Sequence, residues 1–322
     1  MPGLITHLLG GQDVLGRVGD DVASVVKRRR RLFNAGCQGP DVFFYYPLGL
    51  CLGIGTRMHT SRVGDFFGAL AAELPYLDDK TKNAAFAYFA GFLTHYALDC
   101  AAHPYVYYKT GFPAPGRRGG RYMAYHLTFE AAIDTQLLRH LQKCRPDDVK
   151  WWQSLAQRKQ NAHGTTVYLA KNINKVYDTN LKGRNVMAAM ACMAAASRIL
   201  RSPTGLWKRV LGFAENIVLG HHFYAALIHR QEINDGIDYL NEQKAMWREP
   251  WDAASRRFES FMELFDKGVA DAVGLINALW EYMHGQKTLD DFLELVGDNS
   301  FASGQPIKNN VVFKVHDIVF RR

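Results

Sequence analysis

The sequence predicts an all-α protein, a multi-helix bundle with additional helices in its C-terminal half. Two observations carry this. Apolar residues recur at helical spacing in nearly every segment, while the alternation expected of strands is scarce. Helix stops such as Asn34-Ala35-Gly36 and Gly111 punctuate the pattern at helix-sized intervals. With 322 residues, 48% of them hydrophobic, the chain can bury one large core or two fused helical lobes. Residues 1–145 read as a helical core, 146–300 as a C-terminal helical lobe packed on it, and 301–322 as a tail.

Taken in order, Val14 to Phe33 reads as one amphipathic helix. CQGPDVFFYYPLG follows as an irregular, turn-rich segment with an aromatic cluster, Phe43 to Tyr46, behind Gly39-Pro40. A glycine-rich loop at Gly49, Gly53 and Gly55 leads to a helix starting near Thr60. Asp78-Asp79-Lys80 opens a long apolar helix that ends near Gly111. The loop Phe112 to Arg121 is a connector or a lid, and Tyr122 to Leu141 forms the next helix. CRPDD at Cys144 to Asp148 marks a subdomain boundary. Further helices are expected near Trp151–Gln160, Thr166–Asn180, Asn185–Leu200, Leu206–His229, Trp251–Tyr282 and Leu289–Val296. Small residues on all sides of MAAMACMAAAS suggest a closely packed, buried helix. The turn in NEQKAMWREPW is read as fixing the packing of the C-terminal helices, and the tail as an extended arm or short strand.

A net charge of +8 is mild and diffuse, suited to an anionic substrate or an anionic membrane surface but no marker of nucleic acid by itself. The basic run Lys27 to Arg31 reads as a solvated face near a helix end. Five scattered cysteines without a CxxC pair point to reduced thiols. No apolar run reaches membrane-spanning length, and MPGLITHLLGGQDVL shows no signal-peptide pattern, so a cytoplasmic location is expected, with an exported mature form as the other possibility.

The chemistry concentrates in AFAYFAGFLTHYALDCAAHPYVYY, where His95, Asp99 and His103 follow one another at steps of four. On a helix such residues share nearly one face. Polar side chains on the buried face of an apolar helix are unfavourable unless something pairs them, so the helix reads as the wall of a metal site. His126 and Glu130 repeat the spacing, with Asp134 one turn further. A nitrogen and an oxygen from adjacent turns suit a small borderline cation such as zinc. With Asp41, His59 and His7 nearby in the sequence, eight ligand candidates in five segments are too many for one zinc ion and fit a cluster of two or three. His221, His222, His229, Glu215 and Arg230 read as core or surface residues, and His140, His163, His284 and His316 have no partner at ligand spacing.

His95-x-x-x-Asp99, His126-x-x-x-Glu130, GPD-FFYY and Thr6-His7 together resemble the zinc-dependent phospholipase C family, which shares its fold with the S1/P1-type nucleases. The resemblance covers about the first 140 residues. It implies an all-α bundle of the phospholipase C / P1 nuclease type, holding a trinuclear zinc site that cleaves phosphodiesters. Carried over, Asp41, His59, His95 and Asp99 would bind one metal and His103, His126 and Glu130 a second. His7 would contribute to a third, with Asp99 as bridging carboxylate. Asp134 would orient a ligand histidine from the turn below, and Asp41 would double as general base. Secreted members complete the third metal with an N-terminal tryptophan, whereas this chain opens Met1-Pro2-Gly3, so two zinc ions are expected and a third is short of ligands.

The aromatic cluster beside Asp41 could hold a choline or acyl group, or simply pack. The expected activity is hydrolysis of a phospholipid phosphodiester, with peripheral membrane contact and no obligate protein partner. A nuclease or nucleotidase on the same metals, with nucleic acid as substrate, is the alternative. So is a catalytically silent helical protein stabilised by metal.

Overall fold

A computed structural model describes residues 3–46, 52–113, 119–219 and 223–320. Its described residues are mostly helical, with two isolated bridges and no named strand among them. The fold is the all-α architecture expected. In order the helices are α1 (Leu4–Arg17), α2 (Asp20–Arg28), α3 (Arg30–Gly36), α4 (Leu52–Thr60), α5 (Val63–Glu73) and α6 (Asp79–Thr110). There follow α7 (Gly120–Gln142), α8 (Trp151–Leu155), α9 (Lys159–Tyr177), α10 (Gly183–Ile199), α11 (Leu206–Leu219), α12 (Phe261–Met283) and α13 (Leu289–Val296).

The axis of the bundle is α6. Asp78 caps it by accepting from the Thr81 backbone N–H, and Gly111, at φ 76°, ends it. Between Ala84 and Thr110 nearly every residue is buried, as an all-round apolar helix must be. Around it stand α1, α2, α3, α7, α9 and α12, the longest contacts being with α12 and α3. The α3 approach is set by two glycines. A Cβ at Gly36 would lie 2.1 Å from the Tyr88 carbonyl oxygen, and one at Gly91 2.1 Å from that of Phe33. Only hydrogen side chains let these backbones touch. One continuous apolar core runs from Ile5 in α1 to Phe301 beyond α13.

Several elements depart from the periodicity. The single helix expected over Val14 to Phe33 is three helices, broken where Val18 and Gly19 are extended and where Arg29 leaves helical geometry. The apolar period survives because all three segments pack against α6. Gly53 and Gly55 lie within α4 rather than a loop, and Gly49 lies outside the described residues. Arg62, at φ 54°, separates α4 from α5, so the helix expected near Thr60 begins at Val63. α10 fully buries only Val186, Ala189, Met190, Met193 and Ala194, a single stripe, with Ala191 and Ala195 exposed and Ala188, Cys192 and Ala196 half-buried. α11 stops at Leu219, and α12 starts at Phe261, where Ser260 and Glu263 form a capping box. The tail is extended without forming a strand. Its Lys314 and Val315 N–H groups donate to the Pro250 carbonyl, and those of Asp317 and Val319 to Tyr108 and Lys109. Trp247 is fully buried, pairs its backbone with Arg257 and sets its ring 5.5 Å from that of Tyr105 in α6. The four described cysteines are free thiols.

Candidate metal centre

The fold brings His7, Asp41, His59, His95, Asp99, His103, His126 and Glu130 to one buried place between α1, α4, α6, α7 and the 3-10 turn Gly39–Tyr45. α6 supplies His95, Asp99 and His103 from one face, and α7 brings His126 and Glu130 against it. Three triads have ligand atoms within 4.8 Å of one another: Asp41, His59 and His95; His7, His95 and Asp99; His103, His126 and Glu130.

The histidines are aimed by the backbone. Nδ1 of His95 lies 3.1 Å from the Cys37 carbonyl, that of His59 2.7 Å from the Gly55 carbonyl, and that of His103 2.7 Å from the Phe301 carbonyl. A carbonyl can only accept, so each Nδ1 carries the proton and donates it. Each Nε2 is left with a bare lone pair facing the cluster. Ligand histidines of metal sites are held in this way. Gly39, at φ 48°, fits because a Cβ there would sit 2.3 Å from the His95 ring.

Around the shared carboxylate, His95 Nε2 is 3.2 Å and His59 Nε2 3.9 Å from Asp99 Oδ2, while His7 Nε2 is 3.3 Å from Asp99 Oδ1. His59 Nε2 is also 3.1 Å and His95 Nε2 4.0 Å from Asp41 Oδ1. Tetrahedral zinc with bonds of about 2.0–2.2 Å places its ligand atoms about 3.3–3.6 Å apart. The four atoms Asp41 Oδ1, His59 Nε2, His95 Nε2 and Asp99 Oδ2 bracket that spacing. In the third triad His103 Nε2 is 3.8 Å from Glu130 Oε1, but His126 Nε2 is only 2.7 Å from it. That pair has to part by about half an ångström to admit an ion.

The decisive test of fit is polar satisfaction. Both ring nitrogens of His7, the Nε2 atoms of His59, His95 and His103, Asp41 Oδ1 and both oxygens of Asp99 are buried without a hydrogen-bond partner among the described residues. Each such atom costs about 1–3 kcal/mol, and together they rival the whole stability of a domain. Cations that take up the lone pairs, one from each imidazole and those of the carboxylates, remove most of that cost. The mixed imidazole and carboxylate donors suit zinc.

Burial shifts the titrations in the same direction. It pushes the Asp99 carboxyl up, but His95, His103 and His7 around it outweigh that and hold it well below the ordinary carboxylate range. Desolvation lowers His103 to about 4 and His126 well below its usual value, so both imidazoles are neutral near pH 7. Desolvation also raises Glu130 to about 7.

Against this background, the family described as "Zinc dependent phospholipase C" matches residues 6–178, more than half of the chain and a span holding every candidate residue above. The chain belongs to the zinc-dependent phospholipase C family. No curated protein and no solved structure gives a significant match.

Family membership does not dictate every role. Asp134, expected to orient a ligand histidine, holds the start of α1 instead. It accepts from the Ile5 N–H at 3.0 Å, the Thr6 N–H at 2.7 Å and the Thr6 hydroxyl at 2.6 Å, and faces His229 Nε2 at 2.8 Å. A helix N-terminus with free N–H groups competes well for a carboxylate, and here it secures the turn that carries His7. Glu215 accepts from the backbone N–H groups of Phe223, Tyr224 and Ala225 and takes no part in the centre. His221 and His222 lie outside the described residues. Phe44 stacks on His59 with ring centroids 5.6 Å apart, and Phe43 is core.

Sequence reasoning missed the segment after α13. Phe301 places its carbonyl on His103 and its ring 5.0 Å from that of His59, and its N–H donates to the His59 carbonyl. A cavity of about 80 Å³ reaches Glu130 past Tyr45, Trp151, Arg201, Leu227 and His229. The larger cleft, about 540 Å³, lies at the end of α7 with Arg139, His140 and Lys143 and touches no candidate ligand.

Proposed function

We propose that the chain is a zinc-dependent phosphodiesterase that hydrolyses a phospholipid phosphodiester. The observation that carries the reading is the set of buried, unpartnered nitrogens and oxygens converging between α1, α4, α6 and α7. Family membership supports a phosphodiester substrate of phospholipid type. Asp41, His59, His95 and Asp99 Oδ2 would hold one zinc, and His103, His126 and Glu130 a second. His95 offers one lone pair, so it serves only one ion. His7 and Asp99 Oδ1 are then two donors toward a third.

Zinc bound there supplies Lewis acidity to the phosphate and lowers the pKa of water toward neutrality. The residues do the rest. Asp99, buried and held ionised, keeps a fixed negative charge between the two histidine groups. The carbonyls of Cys37, Gly55 and Phe301 lock three rings in place, so little reorganisation accompanies reaction. Asp41, at the edge of the cluster on the Gly39–Tyr45 turn, is the general base that takes the proton of the attacking water.

The test assays phosphatidylcholine vesicles, a soluble aryl phosphodiester and single-stranded DNA side by side, with zinc counted on protein purified without chelator. At least one zinc per chain and turnover of phospholipid are expected. Asp41→Ala should reduce turnover by about 100-fold or more while the fold and the His103 zinc persist. Turnover of DNA alone would move the assignment to a nuclease. Less than one zinc per chain, with no activity on adding zinc, would overturn it.

A further inference from the structure

The helix α11, in LWKRVLGFAENIVL, is built inside out. Its large apolar residues Leu206, Trp207, Val210, Phe213, Ile217 and Val218 face solvent, with Phe213 72%, Ile217 69% and Val218 78% exposed. Two of its polar residues, Lys208 and Glu215, turn toward the protein. Glu215 is buried and accepts three backbone N–H bonds from Phe223, Tyr224 and Ala225. The Lys208 ammonium donates to the Ala225 carbonyl at 2.7 Å and to that of Ile228. These inward bonds fix the rotation of the helix and hold the apolar face outward. A helix that merely lay on a soluble protein would be turned the other way.

We propose that α11 seats the protein on an anionic phospholipid surface. At 100° per residue, the exposed apolar positions sweep an arc of about 140°. That is broad and flat, wider than the two-position seam of a helix pair, and it suits a membrane plane. Trp207 and Phe213 are side chains at home in the interfacial layer. The exposed charge on α11 is Arg209, with Arg198 exposed just before it and the one acid of the helix turned inward. The chain as a whole carries +8. Both favour an anionic surface. The 14 residues of α11 span about 21 Å, too short for a hydrocarbon core of about 30 Å, so the helix lies on the bilayer. No described helix is long and apolar enough to cross a membrane.

The position of α11 gives the docking a purpose, which rests on the phosphodiesterase reading. Ser197, Leu200 and Arg201, just before α11, and Leu227, just after it, line the cavity that reaches Glu130. Seating α11 on lipid brings the rim of that cavity to the headgroups. The helix lies beyond residues 6–178, so the family match does not cover it.

Flotation with vesicles of phosphatidylcholine, alone or mixed with phosphatidylglycerol, tests the proposal. Wild type should float with the mixed vesicles and more weakly with phosphatidylcholine alone. Replacing Phe213→Ser and Ile217→Ser together should weaken partitioning about 100-fold, and Arg209→Glu several-fold, on the anionic vesicles. All three positions are exposed, so circular-dichroism melting should stay at the wild-type value. Hydrolysis of a soluble aryl phosphodiester should not change. Failure of wild type to bind either vesicle overturns the proposal, as does wild-type binding by the double variant. A light-scattering dimer that the double variant dissolves also overturns it and assigns the face to a second copy. Flotation of wild type that the double variant loses, in a protein that hydrolyses no phosphodiester, leaves the docking standing and removes the phosphodiesterase reading.

Discussion

Replacing Glu130→Gln should make the metal-free protein more stable at neutral pH and less stable once zinc is added. Burial raises the Glu130 carboxyl from an ordinary 4.5 to about 7. A difference of about 2.5 pKa units at 1.36 kcal/mol each is about 3 kcal/mol. Because the folded pKa is the higher one, the folded protein keeps a proton that the unfolded chain has already released. The contribution to stability is therefore full below about pH 4.5 and is lost as pH rises through about 7. His103 runs the other way. Lowered to about 4 from 6.5, it contributes stability that is present above 6.5 and lost as pH falls through 4. The two slopes oppose each other in the wild type, whereas glutamine, which cannot ionise, leaves the histidine slope exposed. Urea denaturation in EDTA at about pH 5 and about pH 8 should show the variant gaining about 2.5 kcal/mol on wild type between the two, since part of the effect is already lost at about pH 5. With zinc the order should reverse, since the cation favours a carboxylate over an amide. A difference that stays within about 0.5 kcal/mol across that range would refute the buried-carboxyl argument.

Three further outcomes follow from particular contacts. Asp99→Asn should lower zinc content by more than one ion per chain, because its two oxygens face His95 and His7 separately, whereas His103→Ala should cost one; elemental analysis decides. Asp134→Ala strands the N–H groups of Ile5 and Thr6 and should destabilise by about 3 kcal/mol or more in thermal melts, a loss under about 1 kcal/mol contradicting the anchor. Gly36→Ala would drive a Cβ to 2.1 Å from the Tyr88 carbonyl oxygen and should cost about 3 kcal/mol or more, while Gly274→Ala, with nothing within 4 Å, should stabilise by about 0.5 kcal/mol in parallel melts.

What could be read from the sequence was what is local. His95, Asp99 and His103, and His126 with Glu130, sit on single helices, so their spacing gives their shared faces directly. Asp41 and His59 come from separate segments, so the sequence offers them as candidates, but only the resemblance to a family assigns them to a particular metal. The carbonyls of Cys37, Gly55 and Phe301 could not be read at all, because every residue has a carbonyl and none advertises its use. Asp134 shares the face of Glu130, and its spacing is equally compatible with serving a histidine or a helix end; the approach of α1 decides. α11 has the period of an ordinary amphipathic helix, and the pattern cannot say which face is turned outward.

The three carbonyls that aim the histidines also impose an order in time. Cys37 and Gly55 are synthesised before His95 and His59 need both of them, but Phe301 is made nearly two hundred residues after the His103 it steers. On a chain emerging from the ribosome, His103 therefore keeps its rotational freedom until the stretch after α13 folds back. Zinc captured earlier would meet a half-aimed ring, so maturation of the centre waits on the segment after α13.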